Sequence, residues 1–191
     1  MSSSKNDSTA TAKADTQSIL VEPGERVVLS PESQRFKENY RQVHPRTADE
    51  VREIIGLSAE TAKALREQGA CCEPSENFAA IIPAEELDSP DGAVRERAWN
   101  IAQTALTRYI YSANPKSLSQ MEPLIARYLH ITEAVLNIAV LPDIEVGSGA
   151  TLTVSTNTHL VRANKIIIHD TGEILCSGFT KFTATSLEGG A

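Results

Sequence analysis

Four histidines, three cysteines and a scatter of hydroxyls are the side chains of this 191-residue chain whose chemistry would suit nucleophilic catalysis. The arrangement easiest to draw takes Cys176 or Ser155 as nucleophile, His169 as base and Asp170 as the group that orients it. Spacing argues against it. In the repeat described below, the positions 22 before and 21 after His169 are Gly147 and Gly190, so no polar residue stacks above or below, and His169 reads as a turn histidine. His130 falls at the end of a helical stretch, where a cationic imidazole interacts favourably with the helix dipole. His44 precedes proline in a loop, and His159 follows Asn157-Thr158 in another turn. Cys71, Cys72 and Cys176 cannot build a disulfide framework, two of them being adjacent, and read as reduced thiols. There is no CxxC or HxxxH pair to hold a metal, and no GxGxxG, phosphate loop, HExxH or nucleophile elbow. The expectation is a protein that is not an enzyme, with no catalytic, cofactor-binding or metal site and no cofactor.

The hydroxyls suggest a different chemistry. Thr151, Thr153, Ser155, Thr156 and Thr158, with Thr180, Thr183, Thr185 and Ser186, make a Thr/Ser-rich β face that could bind carbohydrate or another ligand. A flat threonine ladder fails on register, because Thr151 and Thr153 fall 22 residues before Glu173 and Leu175. The single tryptophan, Trp99, lies in a helix and offers no stacking platform beside these strands. β-Propensity on a solvated face accounts for the same residues.

Composition narrows the classes further. Eighteen Lys+Arg against 25 Asp+Glu give a net charge of −7, and no basic cluster supplies the footprint of a nucleic-acid binder. No stretch approaches the roughly 18 consecutive apolar residues of a membrane span. The start, MSSSKNDSTATAKADTQS, lacks an apolar run behind its first lysine, which argues against a secretory signal and for a cytoplasmic protein; export without a cleaved signal peptide is the alternative. Residues 47–98 carry the whole negative excess, 12 acids against 5 bases, as a solvated helical face would.

The elements that must position these residues divide the chain. Residues 1–18, Ser/Thr-rich with nothing to bury, read as a disordered arm. In 19–46, Ile19-Leu20-Val21 and Val27-Val28-Leu29 flank a Pro-Gly turn as a hairpin or a pair of edge strands, followed by a polar connector. In 47–88, Thr47 and Glu50 have capping-box spacing and Gly56 ends that helix; Ser58 caps a second that Gly69 stops, an acidic helical hairpin and linker. In 89–131, Ser89-Pro90 opens a helix with Val94, Ala98, Ile101, Ala105 and Tyr109 on one stripe. A further helix there carries Met121, Leu124, Ile125 and Tyr128.

Residues 132–191 hold an internal repeat. Ile144, Ile166 and Leu187 fall 22 and 21 residues apart, and Gly149-Ala150-Thr151-Leu152 aligns with Gly172-Glu173-Ile174-Leu175. Each unit reads as strand, Gly turn, strand, turn. The expected fold is therefore α+β, with a helical middle and a C-terminal β-rich unit forming a right-handed β-solenoid of about three coils; an antiparallel β-sandwich with a helical subdomain is the alternative. The expected core is Ile144, Val146, Leu152, Val154, Ile166, Ile168, Leu175 and Leu187. Over 138–191 the periodicity resembles the right-handed β-helices of bacterial surface proteins and of the polymerising bactofilins. Unpaired solenoid ends template further strands, so the expected function is structural: homo-oligomerisation, or docking to a larger protein assembly, through the β-repeat unit.

Overall fold

The computed structural model describes residues 17–67, 82–112 and 114–189. It is a mixed α+β structure in which two sheets of mainly parallel strands adjoin four α-helices. The readings for residues 1–16 and for Cys71 and Cys72 lie outside the described residues.

The strand unit alternates between two sheets as the chain advances. β1 (Ile19–Val21), β4 (Leu136–Val146), β6 (Leu160–Ile168) and β8 (Lys181–Gly189) form one sheet in that order; β2 (Arg26–Leu29), β5 (Thr151–Val154) and β7 (Glu173–Cys176) form the other. All of these pairings are parallel. That is not the ladder of an antiparallel sandwich. β3 (Tyr40–Val43) alone runs antiparallel, against Leu136–Ala139 at the start of β4. Ile19-Leu20-Val21 and Val27-Val28-Leu29 are accordingly not a hairpin but edge strands, one in each sheet.

Register follows from which residues are apolar. Ile19, Ile144, Ile166 and Leu187 are lateral partners in one inward column. Val21, Val146 and Ile168 make a second; Val27, Leu152 and Ile174 a third, in the other sheet. A one-residue slip would carry every one of these side chains to the opposite face, so burial fixes the pairing. The turns between the sheets are also in register. Gly24 and Gly149 occupy the same turn position with φ of 75° and 67°, and Thr171 adopts φ of 58° at the equivalent place.

The helices lie in sequence between β3 and β4. Thr47 caps α1 (Ala48–Ile55), its Oγ1 accepting from Glu50 N–H at 3.2 Å, while Glu50 Oε2 reaches back to Arg46 N–H. Ser58 Oγ accepts from Thr61 N–H at 3.1 Å at the start of α2 (Ala59–Glu67). α3 (Gly92–Tyr111) begins two residues beyond the position Ser89-Pro90 predicts. Asp91 caps it, its carboxylate accepting from Ala93 and Val94 N–H, and Ser89 Oγ instead turns the chain by accepting from Asp91 N–H. Ala98, Ala102, Ala105 and Tyr109 form its buried stripe. α4 (Glu122–Ile131) tolerates Pro123 because the first helical turn needs no amide donor there. Its buried Leu124, Ile125 and Leu129 join α3 in a second core, to which Leu136 of β4 also belongs. Trp99 packs edge-on to Tyr128 there and donates from Nε1 to Leu87 O.

Candidate functional site

The two ends of the strand stack differ, and the difference starts from side chains. At the β1 end, residues 30–39 fold back so that Phe36, 4% exposed, enters the strand core. The carbonyl of Val21 bonds toward β4, accepting from Gly147 N–H, so that of Leu20 faces the outer edge. Arg35 donates to it, and also pairs with Glu25. Asn39 is buried and donates to Gln17 O and Val140 O. β3 covers the rest of that edge of β4. This end is closed.

At the other end nothing among the described residues pairs with the outer edge of β7 or β8. The column that is 2%, 0% and 4% exposed at Ile19, Ile144 and Ile166 emerges at Leu187, which is 70% exposed. Phe179, in the turn between β7 and β8, is 91% exposed. Beside β8 an open groove of about 580 Å³ runs between the strand stack and the helices, lined by Ile55, Leu57, Tyr111, Phe179 and Phe182 among others. Lys181 bridges it, its Nζ donating to Gly56 O at 2.7 Å; burial first, and then the neighbouring Arg162 charge, hold its pKa below the ordinary lysine value. Farther along β8, Glu188 pairs with Lys165 of β6 at 2.8 Å. The hydroxyl of Thr183 is buried without a hydrogen-bond partner among the described residues.

The residues expected from sequence to form the strand core are not all inside. Ile144, Val146, Leu152, Val154 and Ile166 are buried and Ile168 packs against them. Leu175 is a correction: its lateral partner is Thr153, so it lies on the outer face, and Ile174 takes the inward place opposite Leu152. Leu187 is in the inward column but lacks a neighbour on one side. Sequence reasoning also missed β3; it offers the strand pair at 19–29 as a cover for one end of the repeat, but not that β1 and β2 each join a sheet as a parallel strand. A signal for the latter existed. Val21 and Val27, Val146 and Leu152, and Ile168 and Ile174 are pairs of apolar residues with the same spacing around a turn.

The groups that might have made a catalytic constellation are engaged separately. His169 Nε2 bonds Glu145 Oε1 at 2.7 Å, a polar neighbour on the adjacent strand that a purely vertical reading of the repeat overlooks. Ser155 bonds Thr158, whose buried hydroxyl also meets Tyr40 OH at 2.7 Å; burial pushes that phenol up to about 12. Cys176 is a free, exposed thiol at the far end of β7 from the turn that holds His169. Of the hydroxyls of the Thr/Ser-rich face, Thr151 donates to Glu173 and Thr180 to Thr158 O. A smaller cleft of about 320 Å³ is lined by Asp49, Tyr109 and Glu122 among others, and within it Tyr109 OH donates to Asp49 at 2.5 Å. Among the described residues no three His, Cys, Asp or Glu side chains gather as a metal ion would require, and no helix is long and apolar enough to cross a membrane.

Comparison of the chain with models of known families, with curated proteins and with solved structures finds no match.

Proposed function

We propose that this is a non-enzymatic structural protein that self-associates, or docks to a larger assembly, through the open end of its strand stack, and that the stack is a short β-solenoid. The reading of a solenoid rests on parallel registers that advance by about 22 residues while the chain alternates between two sheets. Parallel crossovers of this kind are right-handed by general rule. A reducing, cytoplasmic setting suits the exposed thiol of Cys176.

One observation carries the functional reading: an inward column of core side chains ends at Leu187, exposed, on a strand whose outer edge is unpaired among the described residues. A flat edge with apolar side chains is a template for another strand. Size-exclusion chromatography with light scattering on the full chain tests it. Association that rises with concentration, and that Leu187→Asp abolishes without lowering the melting temperature, is the expected result. A chain that stays monomeric at high concentration would overturn self-association and return attention to ligand binding on the Thr/Ser-rich face.

A further inference from the structure

We propose that the partner at the open end is a second copy of this chain, joined about a two-fold axis with β8 antiparallel to β8 of that copy, so that assembly stops at a dimer. This rests on the reading of the open end as an assembly surface and specifies its geometry and stoichiometry.

The limit of two comes from the far edge of the sheet to which β8 belongs, which is covered. Head-to-tail growth would require the β1 edge to accept the β8 edge of the next copy, and that edge is already occupied. Phe36 is in the core, Arg35 donates to the outward carbonyl of Leu20, and β3 lies along β4. An end that can meet only its own kind gives an isologous, closed contact.

The register comes from β8 itself. In it Phe182, Ala184 and Leu187 continue the inward columns of Val161, Ala163 and Ile166. Residues 182 and 187 are an odd number of positions apart, which in a regular strand places side chains on opposite faces. β6 and β8 both slip by one residue between their inward positions, so in β8 these two share a face. An antiparallel pairing centred between Ala184 and Thr185 then matches like with like across the axis. Phe182 faces Leu187 of the second copy, covering the open column. Lys181, which donates to Gly56 O, faces Glu188 of the second copy, which pairs with Lys165 of its own chain, so that no like charges meet there. Thr183 faces Ser186 of the second copy, two small hydroxyl side chains in directly paired positions.

The experiment uses the full chain with Cys71, Cys72 and Cys176 changed to serine. Thr183→Cys and Ser186→Cys are introduced singly and together, and each protein is oxidised and run without reductant. Opposed residues of an antiparallel pair have Cα atoms within disulfide range, whereas like residues at 183 or 186 lie roughly 10 Å apart along the strand. The double variant should therefore form a covalent dimer and neither single variant should. Light scattering on the wild-type chain should show a mass that doubles with concentration and then holds, and Leu187→Lys should weaken that step about tenfold or more. A monomer at every concentration would overturn both this inference and self-association through the open end. A mass that keeps growing would overturn the dimer while leaving self-association standing. A stable dimer whose double variant fails to cross-link, or that Leu187→Lys leaves unchanged, would overturn the β8 interface.

Discussion

Thr171 sits where its two counterparts are glycines. Its φ of 58° is a left-handed conformation that a β-branched residue adopts only at a cost, roughly 1–2 kcal/mol. Thr171→Gly removes that cost but adds unfolded-chain entropy worth about half as much. We expect a net gain of about 0.5–1 kcal/mol, seen as a higher melting temperature. Gly24→Ala makes the converse control, since a Cβ there would touch nothing and only the backbone angle is tested; it should lower the melting temperature. A Thr171→Gly chain that melts lower would remove the strain argument. His159 offers a second test at this scale. Its Nδ1 accepts from Asn137 N–H at 3.1 Å, and burial holds its pKa below the ordinary 6.5. The unfolded chain therefore takes up protons first as pH falls, so this residue contributes stability above about 6.5 that is lost below it. His159→Gln should flatten the decline in melting temperature between pH 7 and 5, and an unchanged slope would count against the assignment.

Among the elements, β6 is the central strand, with partners on both sides. Ile166 is 4% exposed within it, and Ile167, on the other face, is only partly covered. Ile166→Asp leaves an uncompensated charge in an apolar column and should cost about 3–5 kcal/mol, enough to leave the chain insoluble or unfolded. Ile167→Asp lies between Glu145 and Glu188 and should cost far less, mainly through like charges. Comparable losses in the two melting curves would refute the register. That register was legible in the sequence because Ile144, Ile166 and Leu187 repeat at near-constant spacing. The caps of α1 and α2 were legible for the same kind of reason, a short-range pairing of hydroxyl and amide. What could not be read depends on contacts between distant segments. Nothing local marks Tyr40–Val43 as a strand, since its pairing with Leu136–Ala139 spans the helical unit. Laying Gly172 over Gly149, a spacing of 23, puts Leu175 over Leu152, whereas the ladder keeps a spacing of 22, pairing Leu152 with Ile174 and Thr153 with Leu175. Ser89-Pro90 was a weaker start signal than the carboxylate of Asp91 two residues on.

At the scale of the molecule, the open end described above was half legible. Repeats in a solenoid need covers, but which end has one is settled by Phe36, a residue inside a polar stretch with no repeat of its own. Phe36→Ala should destabilise the fold by about 3–5 kcal/mol, through the lost ring and the cavity it leaves. Loss of only a few tenths, measured by denaturant titration, would mean that the β1 end is not closed by this side chain.

The insertion of the four described α-helices between β3 and β4 has a consequence in time. β6 docks on β4, and β8 on β6, across some twenty residues, whereas β1 and β2 find β4 and β5 only by closing a loop that contains the entire helical unit. Entropy of loop closure favours the near contacts first. During synthesis the first strands to leave the ribosome are thus the last to be paired, and they wait with their apolar side chains uncovered until β4 and β5 follow. In refolding experiments this order predicts a division of effects. Val21→Ala, at the late contact, should chiefly accelerate unfolding, while Ile166→Val, at the early one, should chiefly slow folding. The opposite division would mean that the distant strands take part in the rate-limiting step.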